Sequence, residues 1–194
     1  SVTDQSSTTA DISTKALTAT ALTANKAYDG GTTASTTLTL SGLIGSETLA
    51  STTSSSFNNK NVGTGKTVTV NSITLADGSN GGLAANYSIS SGQTTTANIT
   101  AKPLTVSGIT ASNKIYDSTK TATTTLSFSG LIGSETINNS NSSTFDNKNI
   151  GTGKTVTVNS ISLVDGSNGG LASNYSISSG QTTTANVSAR PLTV

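Results

Sequence analysis

The chain contains its own copy. Tyr28 through Val106 aligns with Tyr116 through Val194 without a gap at an offset of 88, with 59 identities in 79 positions. Any fold proposed for it must therefore be buildable twice, from a unit of about 88 residues. Upstream of Tyr28 the offset becomes 87, because Lys15-Ala16-Leu17-Thr18 answers to Lys102-Pro103-Leu104-Thr105 and Ser112 is an insertion. The ends continue the pattern. Thr8-Thr9-Ala10-Asp11-Ile12 resembles Thr95-Thr96-Ala97-Asn98-Ile99, and Pro191-Leu192-Thr193-Val194 resembles the stretch from Pro103. The expected organisation is a last strand of a preceding repeat over 1–15, a first repeat over 16–102, a second over 103–190 and the first strand of a following repeat over 191–194. The parent array is expected to be longer.

Within the unit the apolar residues alternate with Thr and Ser, as in Thr37-Leu38-Thr39-Leu40, Thr67-Val68-Thr69-Val70 and Leu104-Thr105-Val106. Period two places branched apolar side chains on one face of a strand and β-favouring hydroxyls on the other. Gly/Asn-rich runs such as 63–65 and 77–82 punctuate the strands, and no window carries a helical apolar stripe. The fold class expected is all-β: two tandem small β-sandwich domains, Ig-like, of about 88 residues each, set end to end. A β-grasp-like unit is the alternative, because residues 48–57 show no clear alternation and could hold a turn or short helix. The expected core is Leu38, Leu40, Val68, Val70, Ile73, Leu75, Ile89, Ile99, Leu104 and Val106, or their counterparts 88 positions on.

Residues 97–106 run from one repeat into the next with no Gly/Ser spacer. Apolar parity switches from odd (Ala97, Ile99, Ala101) to even (Leu104, Val106) across Lys102-Pro103, the change of face a strand needs when it passes between two cores. Pro103 fixes φ and biases Lys102 towards extended backbone, so this inter-repeat joint is expected to be stiff.

Composition limits the chemistry. Thr, Ser, Gly and Asn number 39, 33, 19 and 18, while Cys, His, Met and Trp are absent. No Ser-His-Asp triad, thiol nucleophile, imidazole zinc site or disulfide can be built, and no enzyme is expected. Ten Lys/Arg against nine Asp/Glu, thinly spread, give no basic stripe for nucleic acid. No apolar run approaches the ~20 residues of a membrane span, so no membrane insertion is expected in this fragment.

Asn25-Lys26-Ala27-Tyr28-Asp29-Gly30 and Asn113-Lys114-Ile115-Tyr116-Asp117-Ser118, with Ser41-Gly42-Leu43, Asn86-Tyr87-Ser88-Ile89 and the run from Ala97 to Leu104, resemble the YDG and mostly-β glycine-rich repeats of large secreted bacterial adhesins of the filamentous-haemagglutinin type. The resemblance implies an extracellular stalk or filament module, secreted or on the bacterial cell surface, with adjacent repeats of the same chain as its partners. It names no ligand. Ser118 departs from the motif; if that position needs positive φ, Ser tolerates it less readily than Gly30.

Candidate sites follow from residue type. Tyr28-Asp29 and Tyr116-Asp117 are read as turns in which Asp accepts from a backbone N–H two residues on while Tyr packs and tethers a loop through its hydroxyl. The competing reading is a polysaccharide platform that also uses the Asn-rich segments 58–61 and 146–149. Asp77 with Asn80, and Asp165 with Asn168, are the weak metal candidates, since Ca²⁺ wants 6–8 oxygens and each loop has one carboxylate; a Gly-rich hairpin connection is preferred and no cofactor is expected. Lys66 or Lys102 with Asn98, near Glu47 or Asp77, are the candidates for a Lys–Asn crosslink, which needs a neutral, desolvated Lys. Regular Thr rows raise an ice-binding reading, but Thr is also an ordinary solvent-facing strand residue. The leftover strands at 8–12 and 191–194 allow strand exchange with other copies of the chain.

Overall fold

The computed structural model describes residues 9–193. Each repeat makes nine strands. In the first they are β1 (Lys15–Ala16), β2 (Thr18–Thr23), β3 (Lys26–Ala27), β4 (Thr33–Ala34), β5 (Thr36–Ser41), β6 (Leu49–Phe57), β7 (Gly63–Asp77), β8 (Tyr87–Ser88) and β9 (Thr94–Thr100). In the second they are β10 (Lys102–Pro103), β11 (Thr105–Ala111), β12 (Lys114–Ile115), β13 (Thr121–Ala122), β14 (Thr124–Ser129), β15 (Ile137–Phe145), β16 (Gly151–Asp165), β17 (Tyr175–Ser176) and β18 (Thr182–Ser188). Among the described residues the helical turns are 3-10 turns at Ala84–Asn86 and Ala172–Asn174, and there is no α-helix.

The class is all-β, and the two units have one topology. A five-stranded sheet runs β3-β9-β7-β6-β4 in the first and β12-β18-β16-β15-β13 in the second. A two-stranded antiparallel ribbon, β2 with β5 and β11 with β14, provides the second layer of the sandwich. A short parallel pair, β1 with β8 and β10 with β17, closes the set. None of the sheets is closed into a barrel.

The long central strand explains a break in the sequence pattern. β7 pairs with β6 in register from Leu49↔Asp77 to Ser54↔Ser72, then slips by one so that Ser55 faces Val70. Asn71 is the extra residue of a bulge, and a bulge reverses which parity faces inward. Val68 and Val70 are fully buried on one side of it, whereas Ile73 and Leu75 on the other are half-buried. Of the expected core, Val68, Val70, Ile99 and Leu104 are buried, and Leu38, Leu40, Ile89 and Val106 are half-buried. Their second-repeat equivalents Val156, Val158 and Val187 are buried with Phe145, Ala122 and Ala185.

Two local expectations are corrected. Residues 48–57 hold no helix: β6 occupies them, and its inward positions Ser51, Thr53 and Ser55 are small hydroxyls that hide the alternation from a hydropathy pattern. The 77–82 run is not a hairpin, since β7 and β8 that it joins pair in different sheets; it folds over Thr48, whose N–H donates to the Ser79 carbonyl at 3.1 Å. Glycine is needed there because a Cβ on Gly78 or Gly82 would overlap the Thr48 carbonyl oxygen. Residues 9–14 and 189–193, the described parts of the two flanking segments, are exposed and pair with no strand of this chain. Lys15-Ala16 does pair, with Tyr87-Ser88 of the first repeat. Residues 1–8 and Val194 lie outside the described residues.

By contact the described residues divide into two compact units. The second gathers Ala27–Gly31 and Lys60–Gly63 together with everything from Ile99 onward; the first takes the remainder.

Candidate functional site

The second unit contains a polar cluster built on the first Tyr-Asp-Gly motif. Tyr28, 1% exposed, places its ring edge-on to Tyr175, centroids 5.5 Å apart and planes at 81°. Both hydroxyls donate to one carboxylate: Tyr28 to Glu135 Oε1 at 2.7 Å and Tyr175 to Oε2 at 2.7 Å. Lys60 Nζ joins Oε1 at 3.2 Å and lies 6.0 Å from the Tyr28 ring centroid. The Ile132 N–H donates to the Tyr175 hydroxyl at 3.0 Å, and the Tyr28 N–H donates to the Thr100 carbonyl at 2.9 Å. Beside this, Asn174, wholly buried, accepts the Val62 N–H on Oδ1 at 3.0 Å and donates through Nδ2 to Asn61 Oδ1 at 3.2 Å.

The electrostatics follow from donor count. Burial pushes the Glu135 carboxyl up, but hydrogen bonds from Tyr175, Tyr28 and Lys60 outweigh it and leave the pKa below its ordinary 4.5. Tyr175 is pushed up to about 12, first by burial and then by its bond to Glu135; Tyr28 is raised for the same two reasons. The cluster is thus an anion held by two neutral phenols and an ammonium, and its lone pairs are occupied by protein donors. Such a group ties segments together and is poorly placed to attack or deprotonate a substrate.

The motif backbone needs the left-handed region at its third position. Gly30 has φ +79°, and Ser118 takes φ +65° at the equivalent place. Gly30 is also tight against the fold, because a Cβ there would lie 2.7 Å from Ile132 Cγ2. Asp29 Oδ1 accepts the Gly31 N–H at 2.9 Å and Asp117 Oδ1 the Thr119 N–H at 2.9 Å, the i to i+2 turn bond of an Asx turn. Asp117 also pairs with Lys114 at 2.8 Å, and that bond, with those from Thr119, lowers its carboxyl to about 2.

The 88-shifted members of the cluster are in a different state. Tyr116 is half-buried and, among the described residues, its hydroxyl makes no hydrogen bond. Glu47 is half-buried and accepts from the Tyr87 hydroxyl, while Asn86 is exposed. Ile150, the counterpart of Val62, is 60% exposed.

The other sequence candidates are placed apart. Asp77 Oδ1 accepts the Ala84 N–H and Asp165 Oδ1 the Ala172 N–H, each at 2.7 Å. Asn80 and Asn168 donate to the Ser46 and Ser134 carbonyls at 2.9 and 3.0 Å from positive-φ turns. Each loop's polar side chains are thus spent on its own backbone, and no group of three or more carboxylates is found among the described residues. Lys66 reaches Asn59 Oδ1 at 2.6 Å, and Asn98 Oδ1 accepts the Gly65 N–H at 2.8 Å. The crosslink candidates are therefore not assembled. Lys102-Pro103 is a paired strand, Lys102 opposite Tyr175 and Pro103 opposite Ser176, with Leu104 N–H on the Ser176 carbonyl at 2.8 Å. In the Asn-rich segments, Lys154 bridges Asp146 at 2.9 Å and Asn147 at 2.6 Å.

Sequence reasoning found Tyr28 but missed Glu135, Lys60 and Asn174. Glu135 lies 107 positions from Tyr28 and sits in a Gly-Ser-Glu-Thr stretch with no motif of its own. The 88-residue identity could not single it out, because most of the unit is identical between copies.

A tandem all-β repeat whose motif tyrosine is buried and bonded to a carboxylate is the class that fold and site define. Comparison with known proteins makes this specific: the YDG domain family matches residues 13–97 and again 100–185, and the chain belongs to that family. No curated protein and no solved structure matches it.

Proposed function

We propose that the chain is a non-enzymatic structural repeat of an extracellular bacterial adhesin, a stalk or filament module that extends a distal binding region or builds a fibre at the cell surface. The observation that supports this is how the motif spends its chemistry. Tyr28, the residue best suited to stack on a sugar, is 1% exposed and bonded to Glu135, so it serves packing and leaves no ring face for a ligand. A module of this kind needs short stiff units joined without hinges, and Lys102-Pro103 is held in a strand pair and not in a loop.

Small-angle scattering of the monomer is the test. A compact 194-residue globule has a radius of gyration of about 16 Å. A stalk of two units in line should give on the order of 22 Å or above. A value near the compact figure would contradict the stalk reading.

A further inference from the structure

We propose that the second repeat is a mechanical clamp, in which tension carried along the chain is borne in shear between the run Lys102–Ile115 and the last strand, β18. The argument starts from the direction of the pairings. Strands β10, β11 and β12 form one extended run with no turn or bend between Lys102 and Ile115, and the run changes partner twice. β10 lies parallel to β17, and β11 lies antiparallel to β14 from Thr105↔Ser129 to Ala111↔Thr124. β12 lies parallel to β18, with Lys114 opposite Val187 and Ile115 opposite Ser188. The chain enters the repeat at the start of this run and leaves it after Ser188, which stands beside the run's far end. Roughly 40 Å of extended chain separates the two points.

Parallel pairing decides how a pull is shared. Tension draws β12 towards its N-terminal end and β18 towards its C-terminal end. Two strands that run the same way are then pulled past each other along their axis, and all the bonds between them are loaded together. In an antiparallel pair both pulled ends would lie on one side, and the bonds would open one at a time.

The loaded bonds are present on both sides of β18. The Tyr116 N–H donates to the Ser188 carbonyl at 2.9 Å, the Asn186 N–H to Asn113 Oδ1 at 2.7 Å, and Ser188 Oγ to the Lys114 carbonyl at 3.4 Å. Across its other edge β18 pairs with β16 from Gly151↔Val187 to Thr157↔Thr182. Ala185 and Val187 are buried in the core, so β18 cannot slide without dragging both out. Asn113 lies in no strand and is exposed, yet its side-chain oxygen adds a bond to the short β12–β18 ladder. The first repeat makes the same bond, from the Asn98 N–H to Asn25 Oδ1 at 2.7 Å. The inference deepens the stalk reading and rests on it for its purpose: units joined in series all carry the same tension, so a stalk is only as strong as its weakest unit.

The test is force spectroscopy of the intact chain at constant force, which reads the unfolding rate directly. Handles on Thr100→Cys and on the C-terminus pull along the run. Handles on Lys120→Cys and on the C-terminus pull across the sheet, from its β13 edge to β18. At one force the repeat should survive about a hundredfold longer or more in the first geometry. Asn113→Ala, checked for folding by circular dichroism, should shorten the lifetime along the run about fivefold or more, the loss of one loaded hydrogen bond. It should leave the lifetime across the sheet within about twofold, because there β13 parts from β15 before β12 is loaded. Equal wild-type lifetimes in the two geometries would overturn the proposal, as would an Asn113→Ala variant unaffected along the run or affected equally in both. The stalk reading fails separately: equal lifetimes with a large radius of gyration remove the clamp and keep the stalk, and a long lifetime along the run with a compact radius does the reverse.

Discussion

At the scale of single residues the account rests on Glu135. Its three donors keep it ionised, and the sign of its effect on stability follows. Its folded pKa lies below the unfolded value near 4.5, so its contribution is complete above about 4.5 and is lost as pH falls through the lowered folded value. Tyr175 works at the other end: raised from 10.0 to about 12, it contributes fully below pH 10 and loses that contribution as pH climbs through about 12. Thermal unfolding of wild type and Glu135→Gln across pH should show the wild-type advantage shrinking below about pH 4.5. An advantage that is flat from pH 3 to pH 7 would mean the carboxylate charge has no part in the cluster.

At the scale of elements, β6 and its counterpart β15 show what a hydropathy pattern can and cannot carry. β5, β7 and the start of β11 were legible because Leu and Val alternate with Thr. β6 was not, because its inward face is Ser51, Thr53 and Ser55, and burying a hydroxyl leaves no apolar trace in sequence. The two copies treat that burden differently. Ser143 Oγ shares a 2.7 Å hydrogen bond with Thr124 Oγ1, whereas the buried Ser55 Oγ has no partner. Ser143→Ala is therefore expected to cost about 1 kcal/mol, and Ser55→Ala to be neutral or stabilising by up to about 1 kcal/mol. Denaturant titration of both variants checks this, and equal losses would mean that Ser55 is bonded in solution. The bulge at Asn71 was legible only as an interruption between Val70 and Ile73; that it switches the buried parity needed the register of β6 on β7.

At the scale of the whole molecule the duplication was plain in the sequence, while the residues that give the motif its purpose were not, because Tyr28 meets Glu135 across 107 positions and Asn174 meets Val62 across 112. The two motif tyrosines accordingly differ: Tyr28 is buried and bonded to Glu135, while Tyr116 is half-buried and its hydroxyl makes no hydrogen bond among the described residues. This is the central claim, and removing one oxygen from each tyrosine tests it most directly. Tyr28→Phe should lose a buried hydrogen bond to a charged group, lowering stability by about 1.5–3 kcal/mol. Tyr116→Phe should stay within about 0.5 kcal/mol of wild type. The measurement is the pair of unfolding free energies under one set of conditions: a clear loss at position 28 with none at 116 is the predicted result, and equal effects at the two positions, or none at 28, would contradict it.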